Sequence, residues 1–205
     1  MPDLARLTAA LRGLLPAHAA VAATDPQAEH PVFPGESIAA VPSRLREFAA
    51  GRAALRAAMA DLGLPPIAVP MNPDRSPALP PGLAASISHT ATVCLAAAMT
   101  ARRGLGIDIE PDMPLPPDLI DTILTPAEHG SAAEARLIFS AKEAVYKAQY
   151  PVSRTLFGFD AIAITLEPGT FSAIFQHSIP GFPAGTRLSG RWTRADALIL
   201  TAIVI

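Results

Sequence analysis

Leu4, Leu7, Leu11 and Leu14 recur at helical spacing, which predicts a short amphipathic helix from about Asp3 to Leu15, ended by Pro16. HAAVAAT (His18 to Thr24) reads as a strand, and a proline-containing loop follows through Pro31 and Pro34. A second helix is expected from Ser43, an N-cap type following Pro42, to Leu62, with Gly63 as its stop. Its apolar stripe is Leu45, Phe48, Leu55, Met59 and Leu62; Arg52 falls inside that stripe and Arg56 borders it. Pro65 to Pro81 is too rich in proline for a helix and reads as a stiff extended loop. SISH (Ser86 to His89), a strand from Thr92 to Met99, a turn over Ala101 to Gly104 and the stretch GIDIE together predict an antiparallel hairpin. Beyond an extended loop from Pro111 to Pro117, helices are expected from Pro117 to Leu124 and from Ala132 to Tyr150, the second halted by Pro151. The last third reads as strands: Ala161 to Glu167, TFSAIFQ, TRLSGRWT and the final ALILTAIVI.

Helices then strands, twice over, predicts an α+β protein: one unit over residues 1–205 with two similar halves, 1–100 and 101–205. The repeat is one of pattern, without convincing identity between the halves. Half of the residues are hydrophobic, enough for a sizeable core. A formal charge of −2 excludes a globally basic nucleic-acid binder. The lone Cys94 allows no internal disulfide and gives no zinc pattern. Charged residues interrupt the first apolar stretch, and the last apolar run is too short for a membrane-spanning helix. A cytoplasmic protein is expected.

Candidate chemistry enters where the pattern is broken. In GLGIDIE, alternation puts Leu105, Ile107 and Ile109 on one strand face and Asp108 and Glu110 on the other. That reads either as an edge strand with one wet face or as a pair of metal-binding carboxylates. In FSAKEAVYKA, Leu137, Ile138, Ala141, Ala144, Val145 and Ala148 form the helix's core stripe. Glu143 and Lys147 lie opposite it, one turn apart, as a surface ion pair would. Phe139 and Tyr146 beside them argue that this face is covered by another element or a ligand. A guanidinium in an apolar stripe, as at Arg52, either snorkels to the surface or meets an anion in a cleft.

Three motifs in order carry more than each alone. SISH, then GIDIE about twenty residues on, then FSAKEAVYK about thirty further, resembles the signature of phosphopantetheinyl transferases, particularly the larger monomeric branch that includes enterobactin synthetase component D. REFAAGRAALRAAMADLG (Arg46 to Gly63) and DRSPALPPGLAASISH (Asp74 to His89) also resemble that branch, so the likeness covers about residues 30 to 150. Two positions depart from the family pattern: Ala85 stands where glycine usually precedes Ser-Ile-Ser, and Leu79 where an aromatic commonly precedes the loop proline.

The resemblance implies a pseudo-two-fold pair of α/β halves with the active site in the cleft between them. It implies transfer of the phosphopantetheine arm of coenzyme A to a serine of an apo acyl or peptidyl carrier protein, releasing 3′,5′-ADP. By the match, Asp108, Glu110 and Glu143 would hold a magnesium ion, a hard cation that prefers oxygen ligands. Glu143, or a magnesium-bound water beside it, would be the base for the serine. Lys147 would contact the pyrophosphate, with Lys142 a lesser phosphate candidate. Arg52 and His89 match 3′-phosphate positions, Arg75 and Ser88 pyrophosphate or pantetheine contacts, and Arg44 a basic position near the nucleotide. A monomer is expected, since a chain carrying both halves needs no second copy to complete the site. Two other readings use the same residues: a magnesium-dependent phosphohydrolase, and a domain that binds coenzyme A or a carrier protein without catalysis.

Overall fold

The computed structural model describes residues 2–128 and 130–205. The first apolar repeat folds as α1 (Leu4–Arg12), opened by Asp3, whose carboxylate accepts from the N–H groups of Ala5 and Arg6. β1 (Ala20–Thr24) follows, and beyond the proline loop comes α2 (Pro42–Asp61). The expected Ser43 cap is not used. Val41 is the N-cap and Pro42 takes the first turn, where a missing N–H leaves nothing unpaired. Leu45, expected in the apolar stripe, is exposed, while Phe48, Leu55 and Met59 are buried.

β2 (Leu83–His89) pairs antiparallel with β3 (Cys94–Thr100), and β1 lies along the other side of β3. β4 (Leu105–Pro111) does not continue that hairpin, contrary to the sequence expectation. It joins a second sheet with β5 (Ile162–Glu167), β6 (Thr170–Phe175), β7 (Arg187–Ala195) and β8 (Leu198–Val204), in the order β4-β8-β7-β6-β5. The reason lies at the strand's entry. Gly104 exchanges both of its backbone hydrogen bonds with Ile205, so the chain enters β4 already in the ladder of the C-terminal strand.

Between β4 and β5 run α3 (Pro117–Ile123) and α4 (Ala132–Ser153). Ser131 and Glu134 close a capping box at the start of α4. Pro151 does not halt this helix. It lies in the last turn, where its lost N–H removes one bond only, and the helix ends at Arg154, whose φ of 54° is left-handed and whose N–H donates to the Tyr150 carbonyl.

Three apolar clusters set the layers. Ala54, Leu55, Ala58 and Met59 of α2 pack on Ala96 and Ala98, one face of the three-stranded sheet. Its other face, with Leu95, Ala97 and Met99, meets Leu105, Ile107, Ile109, Leu198 and Leu200 of the five-stranded sheet, and Leu7 and Leu11 of α1 join that layer. Ala141, Ala144, Val145 and Ala148 of α4 cover the far side of the larger sheet with Phe171, Phe175 and Ile203. The order is helix, sheet, sheet, helix.

α4 lies unusually close to β4, and two glycines allow it. A Cβ on Gly104 would stand 1.9 Å from the Ala148 carbonyl oxygen, and one on Gly106 would stand 1.8 Å from that of Ala144. Gly104, Gly106, Asp108 and Glu110 alternate onto the same strand face, so the approach that requires glycine also brings the acids under the helix. Replacing Gly106 by alanine must push α4 off the sheet. We expect at least about 3 kcal/mol of destabilisation, read as a melting temperature lower by roughly 6–12 °C.

Candidate active site

The alternation of β2 divides the site into two sides. Ile87 and His89 point toward α2, while Ser86 and Ser88 point toward β4. β4 is the edge of its sheet, so its outward backbone groups need partners. Side chains supply them. Ser86 Oγ accepts from Ile107 N at 3.0 Å and Ser88 Oγ from Ile109 N at 3.3 Å, while Lys147 Nζ donates to the Ile107 carbonyl at 3.2 Å. The two sheets are thus joined by serine hydroxyls and an ammonium, with no backbone ladder between them.

Asp108 stands at the centre of this seam, 5 % exposed. Its Oδ1 accepts from Lys147 Nζ at 2.7 Å and from Ser88 Oγ at 2.8 Å. Its Oδ2 is buried with no hydrogen-bond partner among the described residues. The acid-bearing face of the edge strand is therefore not wet. Glu110 is paired with Arg136 at 2.8 Å; burial and the charge of Asp108 nevertheless push its carboxyl above the ordinary carboxylate value.

Glu143 and Lys147 do not form the surface pair that their spacing allows, because Lys147 turns inward to Asp108. Among the described residues Glu143 has no ion pair. Burial raises its carboxyl, the Lys147 charge opposing and Asp108 adding to the rise. The rings beside it are covered by another element: Phe139 packs on Phe159 with centroids 5.6 Å apart, and Tyr146 meets Phe157 edge-on at 5.4 Å. Between that segment and α4 opens a pocket of about 250 Å³ lined by Glu143, Tyr146, Leu156, Phe157 and Phe159.

On the α2 side, Arg52 answers the question that the apolar stripe raised. It is 6 % exposed, its Nε donates to the Val69 carbonyl at 2.6 Å, and its guanidinium lies 4.3 Å from the Phe48 ring centroid. No carboxylate pairs with it among the described residues. Burial lowers its pKa to about 10; the more distant Glu36 opposes, and the charges of Arg56 and Arg44 add to the lowering. Arg52 is thus a buried cation among cations that lines a cleft, an arrangement whose chemistry suits an anion. Arg44 donates to His89 Nε2 at 2.5 Å, which requires a neutral ring; burial holds His89 below its ordinary pKa although Glu47 opposes.

The neighbouring Arg56 is structural. Its guanidinium pairs with Glu36 at 2.6 Å, with both side chains buried, and Glu36 also accepts from the N–H groups of Phe33 and Val69. Glu36 therefore fixes the segment whose Val69 carbonyl holds Arg52.

Arg44, Arg52, Arg75, Ser88, His89, Asp108, Glu110, Glu143 and Lys147 all line one cleft of about 850 Å³. Two expectations need correction. Lys142 borders the smaller pocket beside Glu143 and not that cleft, and its buried ammonium donates to Glu128 and to the carbonyls of Ile123 and Phe159, which uses all three protons. Ser88 lines the cleft, but its hydroxyl donates to Asp108 and accepts from Ile109 N and Lys147, which leaves it a positioning role.

Comparison with known proteins identifies the family. Residues 33–99 match the family model described as the 4′-phosphopantetheinyl transferase N-terminal domain, and residues 104–198 match that of the 4′-phosphopantetheinyl transferase superfamily. The chain is 38 % identical over 197 residues to 4′-phosphopantetheinyl transferase Svp of Streptomyces mobaraensis, covering 85 % of this chain and 78 % of the relative. The chain belongs to the 4′-phosphopantetheinyl transferase superfamily. It is an enzyme of that type. Other relatives of this superfamily are 4′-phosphopantetheinyl transferase Npt of Nocardia iowensis, 36 % identical over 80 % of this chain and 83 % of the relative, and enterobactin synthase component D of Salmonella typhimurium, 34 % identical over 78 % and 71 %.

The carboxylates expected to hold a cation fit one in chemistry. Three acids, two of them with raised pKa and one offering an unpartnered buried oxygen, are the donor set a hard divalent cation prefers. As the side chains stand, no group of three acidic, histidine or cysteine residues among the described residues converges on one point. The Lys147 ammonium neutralises Asp108 instead.

Sequence reasoning missed Glu36, Ser86, Glu128 and Arg136. Ser86 was within reach, since it alternates onto the face of Ser88; Glu36 lies in a proline loop with no periodicity to mark it. Burial pushes the Glu36 carboxyl up, but the N–H groups of Phe33 and Val69 and the Arg56 guanidinium outweigh it and hold the pKa below 4.5. Its contribution to stability is complete above that pH and lost as the pH falls through the lowered value. Glu36→Gln should therefore cost about 3 kcal/mol near neutrality, and the difference in melting temperature from wild type should shrink as the pH drops below 4.5.

Proposed function

We propose that this transferase moves the 4′-phosphopantetheine arm of coenzyme A to a serine of an apo acyl or peptidyl carrier protein, with magnesium, leaving 3′,5′-ADP. The observation that carries the coenzyme A reading is the buried guanidinium of Arg52, with no carboxylate partner among the described residues, beside Arg44 and His89 and in one cleft with the acid cluster and Lys147. Arg52, Arg44 and His89 suit the dianionic 3′-phosphate, and Arg75 the pyrophosphate. The pocket beside Glu143 suits the pantetheine arm, whose methyl and methylene groups can pack on Leu156 and Phe157.

Asp108, Glu110 and Glu143 would hold the magnesium ion, which supplies neutralising charge to the pyrophosphate when bound. The carrier serine Oγ attacks the phosphorus bearing the pantetheine arm. A P–O bond forms, the bond to the ADP oxygen breaks, and the serine proton goes to Glu143, whose raised pKa makes it a better acceptor than an ordinary surface carboxylate. Lys147, shared between Asp108 and the cleft, stabilises the departing oxygen. The same carboxylates could serve a phosphohydrolase, but a monoester gives no work to cations on both sides of the cleft.

The deciding test incubates the protein with coenzyme A, magnesium and a panel of apo carrier proteins and reads intact masses. Addition of the phosphopantetheine arm is expected. Coenzyme A binding with no addition to any carrier would favour a binding domain, and phosphate release without addition a hydrolase. Glu143→Gln should abolish transfer while coenzyme A still binds by calorimetry; retained turnover contradicts its role as base. Arg52→Ala should weaken coenzyme A by about 100-fold and dephospho-coenzyme A by little. Equal losses for both would remove Arg52 from the 3′-phosphate.

A further inference from the structure

The loop over residues 70–78 belongs to the first half of the chain, yet it reaches across the cleft to α4. It is a small hairpin of its own. Met71 and Pro77 form an isolated antiparallel bridge, Asn72 N donates to the Ser76 carbonyl at 2.8 Å, and Ala78 N to the Pro70 carbonyl at 2.9 Å. At its tip Asp74 Oδ1 accepts from both Ser76 N and Ser76 Oγ, at 2.9 and 2.6 Å. That leaves Oδ2 facing outward from the turn. Tyr150 Oη donates to it at 2.8 Å, and the Arg154 guanidinium stands 3.9 Å away.

Among the described residues, Tyr150–Asp74 is the only hydrogen bond between this loop and the second half of the chain. Tyr150 lies three residues beyond Lys147 on α4, and Asp74 immediately precedes Arg75, so the contact joins the two sides of the cleft at their charged residues. Arg75 itself has φ 69°, a left-handed conformation that a non-glycine residue keeps only where its surroundings hold it. The bonds on Asp74 and Ser76, the residues on either side of it, do so.

We infer that Tyr150 is a positioning residue: its hydroxyl clasps Asp74 across the mouth of the cleft and sets Arg75 for the pyrophosphate of coenzyme A. The inference rests on the coenzyme A reading for its ligand and on the hydrogen bond alone for the clasp. Two consequences follow from the geometry. Removing the hydroxyl frees the loop without touching the carboxylates or Lys147, so the loss falls on ligand capture rather than on the chemical step. Because Tyr150 acts through Arg75, its loss has no further effect once the guanidinium is gone.

Tyr150→Phe should raise both the Kd and the KM for coenzyme A about fivefold, with kcat changed less than about twofold. Arg75→Ala should give a rise at least as large, and the double variant should match Arg75→Ala alone. An unchanged Kd in Tyr150→Phe, or losses that multiply in the double variant, overturns the proposal.

The clasp also has a readout that does not need the ligand. The chain holds two tyrosines, both with raised phenols, Tyr150 chiefly by its bond to Asp74 and Tyr146 chiefly by burial, so absorbance titration in a Tyr146→Phe background should show a late phenol that moves down in Asp74→Asn. If wild-type protein binds no coenzyme A, the transferase reading falls and this titration decides the clasp. Identical phenol titrations with and without Asp74→Asn in that background overturn it.

Discussion

The contact on which the site depends is between a helix and a strand with nothing in the gap. Gly104 and Gly106 present bare backbone to the carbonyls of Ala148 and Ala144, and both partners are small enough to let α4 settle onto β4. Everything polar in the cleft is referred to that distance. Lys147 spans from the helix to Asp108 only because the helix is this near, and Glu143 is brought over the same strand face. A side chain at either glycine would separate the acids from the ammonium before it disturbed any charge.

The second constraint is electrostatic. Asp108 is buried against an ammonium and a hydroxyl while two further carboxylates are kept near it, and across the cleft Arg52 is buried with no carboxylate partner among the described residues. Each side alone carries an unfavourable charge in a poorly solvated place. Under the proposed function, a metal-bound polyphosphate would bring a cation to the acids and an anion to the guanidinium at once. Compensation is partial on the acid side, where Lys147 pairs with Asp108 and Arg136 with Glu110, while the buried Glu36–Arg56 and Glu128–Lys142 pairs have their hydrogen-bonding capacity used.

Much of this was legible in the residues. Alternation placed the acids and the isoleucines of GLGIDIE on opposite faces, all six residues of the expected α4 stripe are buried, though Ser140, Lys142 and Gln149 are buried beside them, and Arg52 was marked by standing in an apolar stripe. The glycines of the same strand were overlooked, although they share the acids' face, because their meaning depends on a helix about forty residues downstream. The false hairpin has a similar cause. Local pattern offers β3 as the nearest partner for β4, and only the long-range match with β8, with hydroxyls closing the other edge, decides otherwise. Lys142 misled because its neighbours in sequence point to the cleft, while its own direction, set by one step around the helix, leads to a buried glutamate. Pro151 was read as a stop from its ring alone; in a terminal turn the ring removes too little to end a helix.

The pairing of β4 with β8 also dictates when the site can exist. Asp108 lies opposite Thr201, about ninety residues later in the chain, and a contact that distant closes a large loop at an entropic cost before it gives anything back. α2, the β2–β3 hairpin and α4 can form from local contacts, whereas β1 reaches β3 across a long loop of its own. The floor that carries the acids cannot take its place until the last strand is present to hold it. Loop-closure entropy thus favours late assembly of the acid-bearing face, and a chain lacking its last strand would have its helices and its arginines without the floor between them.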